Sequence, residues 1–196
     1  TRHETLKRAR WQMPPRLAQE QLAAMDLPPL MVQLLHNRGI TDRAQAESFL
    51  AADEHLLNDP FLLPDMDKAV SRIYSALLAG EKIAIYGDFD ADGMTATAIL
   101  SEGISFLGGT TVPYIPHRVE EGYGLNHAAV QRLHGEGVSL IITVDCGISN
   151  ADEVDRARSM GLDIVITDHH TVSERLPQAV AVVNPKRVDS GYPFPK

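Results

Sequence analysis

Lys82–Ile99 reads KIAIYGDFDADGMTATAI, and the class of the fold follows from how it is parsed. The apolar run Ile83–Tyr86 has the length and residue types of a buried strand. Gly87 ends it. Three acids follow at alternate positions, Asp88, Asp90 and Asp92, and Gly93 opens a run from Met94 to Leu107 that reads as a helix. Carboxylates this close repel one another at pH 7, so the cluster needs something positive among them. Hard divalent cations meet that need, because carboxylate oxygens are their preferred ligands. An EF-hand calcium loop is excluded: its twelfth position, which needs a bidentate Glu, is Ile99, and a strand stands where its first helix belongs. A solvated acidic turn is the plainer alternative, and the rest of the chain bears on it.

Downstream, strand and helix alternate. Strands are predicted at Ile83–Tyr86, Thr111–Ile115, Leu140–Val144, Ile164–Thr167 and Ala179–Val183. Helices are predicted at Met94–Leu107, His127–Gly135 and Ala151–Met160, the last capped by Ser149. This spacing is that of an α/β fold, a five-stranded parallel sheet with helices on both faces. Upstream, Asp65 is expected to cap Met66–Ala79, with Met66, Val70, Ile73, Tyr74, Leu77 and Leu78 in one stripe and Gly80 at the stop. Short helices are expected at Leu17–Met25, at Leu30–Arg38 and, capped by Thr41, at Arg43–Ala51. Thr1–Pro15, basic and holding Trp11, reads as a loose arm. Residues 1–64 thus form a helical N-terminal region and residues 65–196 an α/β domain.

In open parallel sheets, ligands bind at the carboxyl ends of strands near the point where strand order reverses. Asp88, Asp90 and Asp92 follow the first strand. Asp145 follows the third, in TVDCGIS, and Asp168, His169 and His170 follow the fourth, in VITDHH. With the strand order 2-1-3-4-5, all of them converge on one rim. Separate solvated turns would have no reason to load the same end of adjacent strands. Carboxylates with imidazoles suit Mn²⁺ well, Mg²⁺ less exclusively and Zn²⁺ as an outside case. Cys146 stands alone, which argues against structural zinc, and it reads as a small buried residue. No serine nucleophile and no glycine-rich phosphate loop is evident. Metal-assisted attack by water on phosphorus is the expected chemistry. Arg118, in YIPHRVEEGYGLN, is placed to reach phosphate from the same rim, or else pairs with Glu120 or Glu121. Lys186 and Arg187 face either substrate or solvent. His3, His36, His55, His127 and His134 read as structural or exposed.

The 196 residues are 44% hydrophobic and 22% charged, ordinary for a globular chain. No apolar run is long enough to span a membrane. The single cysteine fits a reducing, cytoplasmic setting. A net charge of −8 taken alone argues against nucleic acid, though acids that hold metals account for part of it. A chain that opens on Thr1 and stops at Lys196 is expected to be a piece of a longer protein.

Taken together, Asp168-His169-His170, DPFLLPDMDKAV (Asp59–Val70), YGDFDADG, YIPHRVEEGYGLN and TVDCGIS resemble the DHH phosphoesterase family. The resemblance is closer to its RecJ branch, bacterial nucleases that digest single-stranded DNA from the 5′ end. It implies a two-metal site with Mn²⁺ or Mg²⁺, held by Asp90, Asp92, Asp145 and His169. His170 would contact the scissile phosphate, and Arg118 is a second candidate for that contact. Asp88 would support the ligands. His117 departs from the Asn more usual there. The resemblance also implies a downstream metal-binding Asp and a Gly-rich second domain, so residues 1–196 alone are expected to fold but to digest DNA poorly. Single-stranded DNA is the implied partner, with a single-strand-binding protein or a helicase beside it and a role in DNA repair and recombination. Two other readings are a DHH phosphoesterase acting on short oligonucleotides, cyclic dinucleotides or pyrophosphate, and a non-catalytic replication scaffold.

Overall fold

The computed structural model describes residues 12–51 and 58–193. The arm as far as Trp11, with His3, and also His55, lie outside the described residues. Two units part between Leu57 and Asn58. The first holds α1 (Gln19–Ala23), α2 (Pro29–His36) and α3 (Arg43–Ala51). Pro29 starts α2 because a first helical residue has no intrahelical use for its N–H. Met25, Val32, Leu35 and Ala46 form the small core of this unit. The cap of α3 is Asp42, whose Oδ1 accepts from Gln45 N–H at 2.8 Å. The expected cap, Thr41, instead gives its own backbone N–H to Gln45 Oε1.

The second unit opens with a 3-10 turn, Pro60–Leu62, and α4 (Met66–Ala79). Strand–helix alternation follows: β1 (Lys82–Tyr86), α5 (Ala91–Phe106), β2 (Thr110–Tyr114), α6 (His127–Gly135), β3 (Val138–Val144), α7 (Ala151–Ser159), β4 (Asp163–Thr167) and β5 (Ala181–Val183). The strand order is β2-β1-β3-β4-β5, and every pairing is parallel. Side chains alternate across the sheet. Ile83, Ile85, Leu140, Ile142, Val144 and Val165 pack under α4 and α5. Ala84, Tyr86, Ile141, Ile164 and Ile166 pack under α6 and α7. Each fully buried Ile contributes about 1.5–3 kcal/mol, and a one-residue slip would exchange the two faces, so the register is strongly held. That register brings the carboxyl ends of β1, β3 and β4 side by side, with Tyr86 level with Thr143 and Thr143 with Ile166.

Several local expectations are corrected. α5 begins at Ala91, three residues before Met94, because Asp90 caps it and places Asp92 in its first turn. The N-cap of α7 is Asn150, not Ser149. The α4 stripe splits: Ala69 and Ala76 are buried, with Met66, Ile73 and Leu77 packed beside them, while Val70, Tyr74 and Leu78 are exposed. The small alanines let the helix lie close to the sheet, which rotates positions 70, 74 and 78 outward.

Asp65 precedes α4 but makes no capping bond. Its carboxylate accepts from Lys68 at 2.5 Å, from Arg187 at 2.5 Å and from Val182 N–H at 3.2 Å. Arg187 thus serves as a clamp, its guanidinium taken up by Asp65, the Val182 carbonyl and Asp189. Burial alone would raise the Asp65 carboxyl, and these three donors outweigh it and hold it below the usual range. Hydrogen bonds from Arg72 and Ser139 lower Glu81 in the same way. A carboxyl depressed on folding lends stability that is complete above its unfolded value, near pH 4, and is lost as pH falls through the folded value. Arg187→Ala is therefore expected to lower stability by about 1–3 kcal/mol at pH 7, the cost of taking a charged donor from a half-buried carboxylate. The gap from the parent should narrow below about pH 4. Urea unfolding at pH 7 and pH 3 measures it; a gap that is equal at both would remove Asp65 as its source.

Candidate metal centre

The turn after β1 is tight for a steric reason. A Cβ on Gly93 would lie 2.4–2.7 Å from backbone atoms of Asp88. Asp88 is buried, and its Oδ1 accepts the Phe89 N–H at 2.6 Å. Asp90 is exposed, and its Oδ1 accepts from the N–H groups of Asp92 and Gly93 at 2.9 and 3.1 Å. One oxygen of Asp90 therefore ends the helix, and the other remains for a ligand.

Asp145 follows β3 with φ 61°, a left-handed backbone uncommon for a side chain other than Asn or Asp. Its Oδ1 lies 2.8 Å from His169 Nε2. Burial raises the Asp145 carboxyl and Asp90 adds to the rise, against the opposing pull of His169. Asp88, Asp90 and Asp145 each offer an oxygen within 4.8 Å of the others, and so do Asp145, His169 and His170 with their ligand atoms. Asp145 belongs to both groups. A carboxylate has two oxygens, so Asp145 could serve two adjacent cations. Asp92 stands outside both groups and lines, with Asp145, His169, Thr95 and Ile99, an open cleft of about 380 Å³.

Asp168, the first residue of the Asp-His-His run, plays a different part from its neighbours. Its Oδ1 accepts from the backbone N–H groups of His169 and His170, at 2.7 and 3.0 Å, and lies 2.8 Å from His170 Nδ1. Its Oδ2 accepts the Ile148 N–H at 3.0 Å. With both oxygens engaged, it aims the His170 imidazole and fixes the backbone that carries His169. The Asn184 side chain donates to the His170 carbonyl at 3.0 Å and completes the frame.

Arg118 forms no ion pair with Glu120 or Glu121 among the described residues. Its guanidinium lies over the Phe89 ring, 5.1 Å from the centroid. Glu121 instead accepts from Tyr114, the His117 N–H and Asn126. His117 orders this turn through its Nδ1, which accepts the Glu120 N–H. Cys146 is fully buried, and burial pushes its thiol up. Three residues at the rim were not singled out by sequence reasoning: Phe89, Asp168 in its aiming role, and Tyr123, whose hydroxyl meets both His170 and Asp145. The only signal for Tyr123 was its place inside EEGYGLN.

Among known families, the DHH family, N-terminal domain, matches residues 82–191. The chain is 41% identical to the single-stranded-DNA-specific exonuclease RecJ of Bacillus subtilis (strain 168), over 87% of this chain and 22% of that protein. It is 37% identical to the protein of the same name from Escherichia coli (strain K12), over 86% of this chain and 29% of the other. A crystal structure of exonuclease RecJ bound to manganese superposes with a TM-score of 0.62 and 39% identity, covering 67% of this chain and 34% of that one. RecJ from Thermus thermophilus in complex with Mn²⁺ superposes with a TM-score of 0.61 and 31% identity, over 85% of this chain and 22% of that one. The chain spans less than a third of the length of these curated relatives.

Proposed function

The chain belongs to the DHH family, and from that premise we propose that it carries the metal-binding part of a 5′→3′ single-stranded-DNA exonuclease. The observation that carries the reading is the gathering of Asp88, Asp90, Asp145, His169 and His170 at the carboxyl ends of adjacent strands, with Asp145 within ligand distance of both the acids and the imidazoles. The names of the relatives, and the manganese in two of the solved structures, support it.

Asp90, Asp92, Asp145 and His169 would hold Mn²⁺ or Mg²⁺, with Asp88 supporting them from its buried position. The donor set fits: hard oxygens with imidazole nitrogen, and repulsion among carboxylates that a cation relieves. Such ions supply a water nucleophile at neutral pH and neutralise charge that develops on the phosphoryl group. The chain's own residues do the rest. His170 is aimed by Asp168 and meets the scissile phosphate. Arg118, steadied on Phe89, offers a planar fork to a neighbouring phosphate. Phe89 is also suited to stacking on a base, as single-strand binders do. No helix among the described residues is long and apolar enough to cross a membrane. The buried lone thiol of Cys146 fits a cytoplasmic enzyme, for which a helicase or a single-strand-binding protein would present the strand. DNA repair and recombination are the processes that need such digestion.

The test compares His169→Ala with His170→Ala in the full-length protein on end-labelled single strands in Mn²⁺. His170→Ala should lower kcat by about 10²–10³-fold, the usual cost of removing one donor to developing charge, and leave Mn²⁺ affinity within twofold. His169→Ala should damage both. Equal loss of Mn²⁺ affinity in the two variants would overturn the division of roles. Digestion confined to dinucleotides or cyclic dinucleotides would overturn the substrate.

A further inference from the structure

We propose that Tyr123 is the positioning residue that ties His170 to the Asp145 turn. The inference rests on the nuclease reading above and deepens it. The Tyr123 hydroxyl lies 3.0 Å from His170 Nδ1 and 3.2 Å from the Asp145 carbonyl oxygen. A hydroxyl has one proton to give, and a carbonyl can only accept. The proton therefore goes to Asp145, and the hydroxyl accepts from His170 Nδ1–H. The same Nδ1–H is shared with Asp168 Oδ1 at 2.8 Å. Nδ1 is thereby fixed as a hydrogen-bond donor of the His170 ring, held between Tyr123 and Asp168. The two rings also meet edge to face, with centroids 5.7 Å apart.

The Asp145 side of this bridge is a left-handed turn, φ 61°, which Asp tolerates better than most side chains. The Asp145 N–H is engaged by the Thr167 carbonyl at 3.0 Å. Its own carbonyl is engaged by Tyr123.

The bridge is itself anchored at several points. Gly122 and Gly124 bend the loop at φ 78° and 81°. Tyr86 Oη donates to the Gly124 carbonyl at 2.9 Å. Asn150, at the start of α7, both accepts from and donates to the Leu125 backbone. One phenol therefore joins the EEGYGLN, TVDCGIS and DHH segments at the point where an imidazole has to face phosphate.

The test is Tyr123→Phe in the full-length protein, which keeps the ring and removes only the hydroxyl. On single-stranded DNA with Mn²⁺, kcat should fall about tenfold, with KM and Mn²⁺ affinity within about twofold, as expected for a misplaced reacting group. Combined with His170→Ala, it should be no slower than His170→Ala alone. A crystal structure of the metal-free variant should show the His170 ring turned from the Asp145 turn or split between orientations. Full kcat in the variant, or losses that multiply in the double variant, would overturn the proposal. If the wild-type protein fails to digest single strands, the nuclease reading falls. The metal-free structure then decides alone: a displaced ring supports the Tyr123 role, and an unmoved ring removes it.

Discussion

Asp90→Asn combined with Asp145→Asn is expected to abolish the rise in unfolding temperature that Mn²⁺ gives the parent protein. Asparagine isolates the effect of charge at both places. At Asp90 it keeps an amide oxygen able to cap α5 through the N–H groups of Asp92 and Gly93. At Asp145 it tolerates the left-handed backbone. What disappears is one carboxylate from the first ligand group and the carboxylate that both groups share. A ligand present at a hundred times its Kd stabilises by about 2.7 kcal/mol. For a protein of this size that is on the order of 5–10 °C in the parent, and close to none is expected in the double variant. Without metal, the variant should unfold at the parent's temperature or above it, because two repelling charges are gone. Calorimetric titration with Mn²⁺ measures the same loss directly. Undiminished binding in the double variant would show that the ion sits elsewhere.

Gly93→Ala is expected to damage both stability and metal binding. Gly93 does not have a left-handed φ, so the reason is space alone. An added Cβ meets the Asp88 nitrogen at 2.4 Å, its carbonyl oxygen at 2.6 Å and its Cα at 2.7 Å. These are backbone atoms of the turn that carries Asp88 and Asp90, and they cannot swing aside as a side chain could. The turn has to move, at about 1–3 kcal/mol for overpacking, and the carboxylates move with it. Mn²⁺ affinity should fall at least about tenfold, since ligand sets tolerate errors of only a few tenths of an ångström. Gly103, in the same helix, is the control. Nothing lies within 4 Å of a Cβ there, so Gly103→Ala should gain about 0.5–1 kcal/mol from helix propensity alone. Thermal unfolding and Mn²⁺ titration of both variants separate the effects. Parental metal affinity in Gly93→Ala would mean that the turn is not locked by this contact.

The sheet and its loaded rim were legible in the sequence because both are written in short-range pattern. Five apolar runs with helices between them specify parallel strands, and acids placed after the first, third and fourth runs land together once the order is 2-1-3-4-5. Asp-His-His and the alternating acids are local in the chain, so their chemistry could be read from spacing. Features that depend on partners far along the chain were not readable. Asp65 looked like a helix cap, but Arg187, 122 positions away, claims its carboxylate. Arg187 read as facing solvent or substrate for the same reason. Val70, Tyr74 and Leu78 fitted a helical stripe, and only the close approach of Ala69 and Ala76 to the sheet turned them outward. Within the site, the sequence by itself determined which ligand types gather and at which end of the sheet. Tertiary structure alone decided that Asp145 lies between the acids and the imidazoles, that Asp168 bonds the His170 ring, and that Tyr123 reaches both His170 and Asp145. Periodicity encodes which side of an element a residue occupies, whereas a hydrogen bond is decided to within a few tenths of an ångström by how separate elements pack.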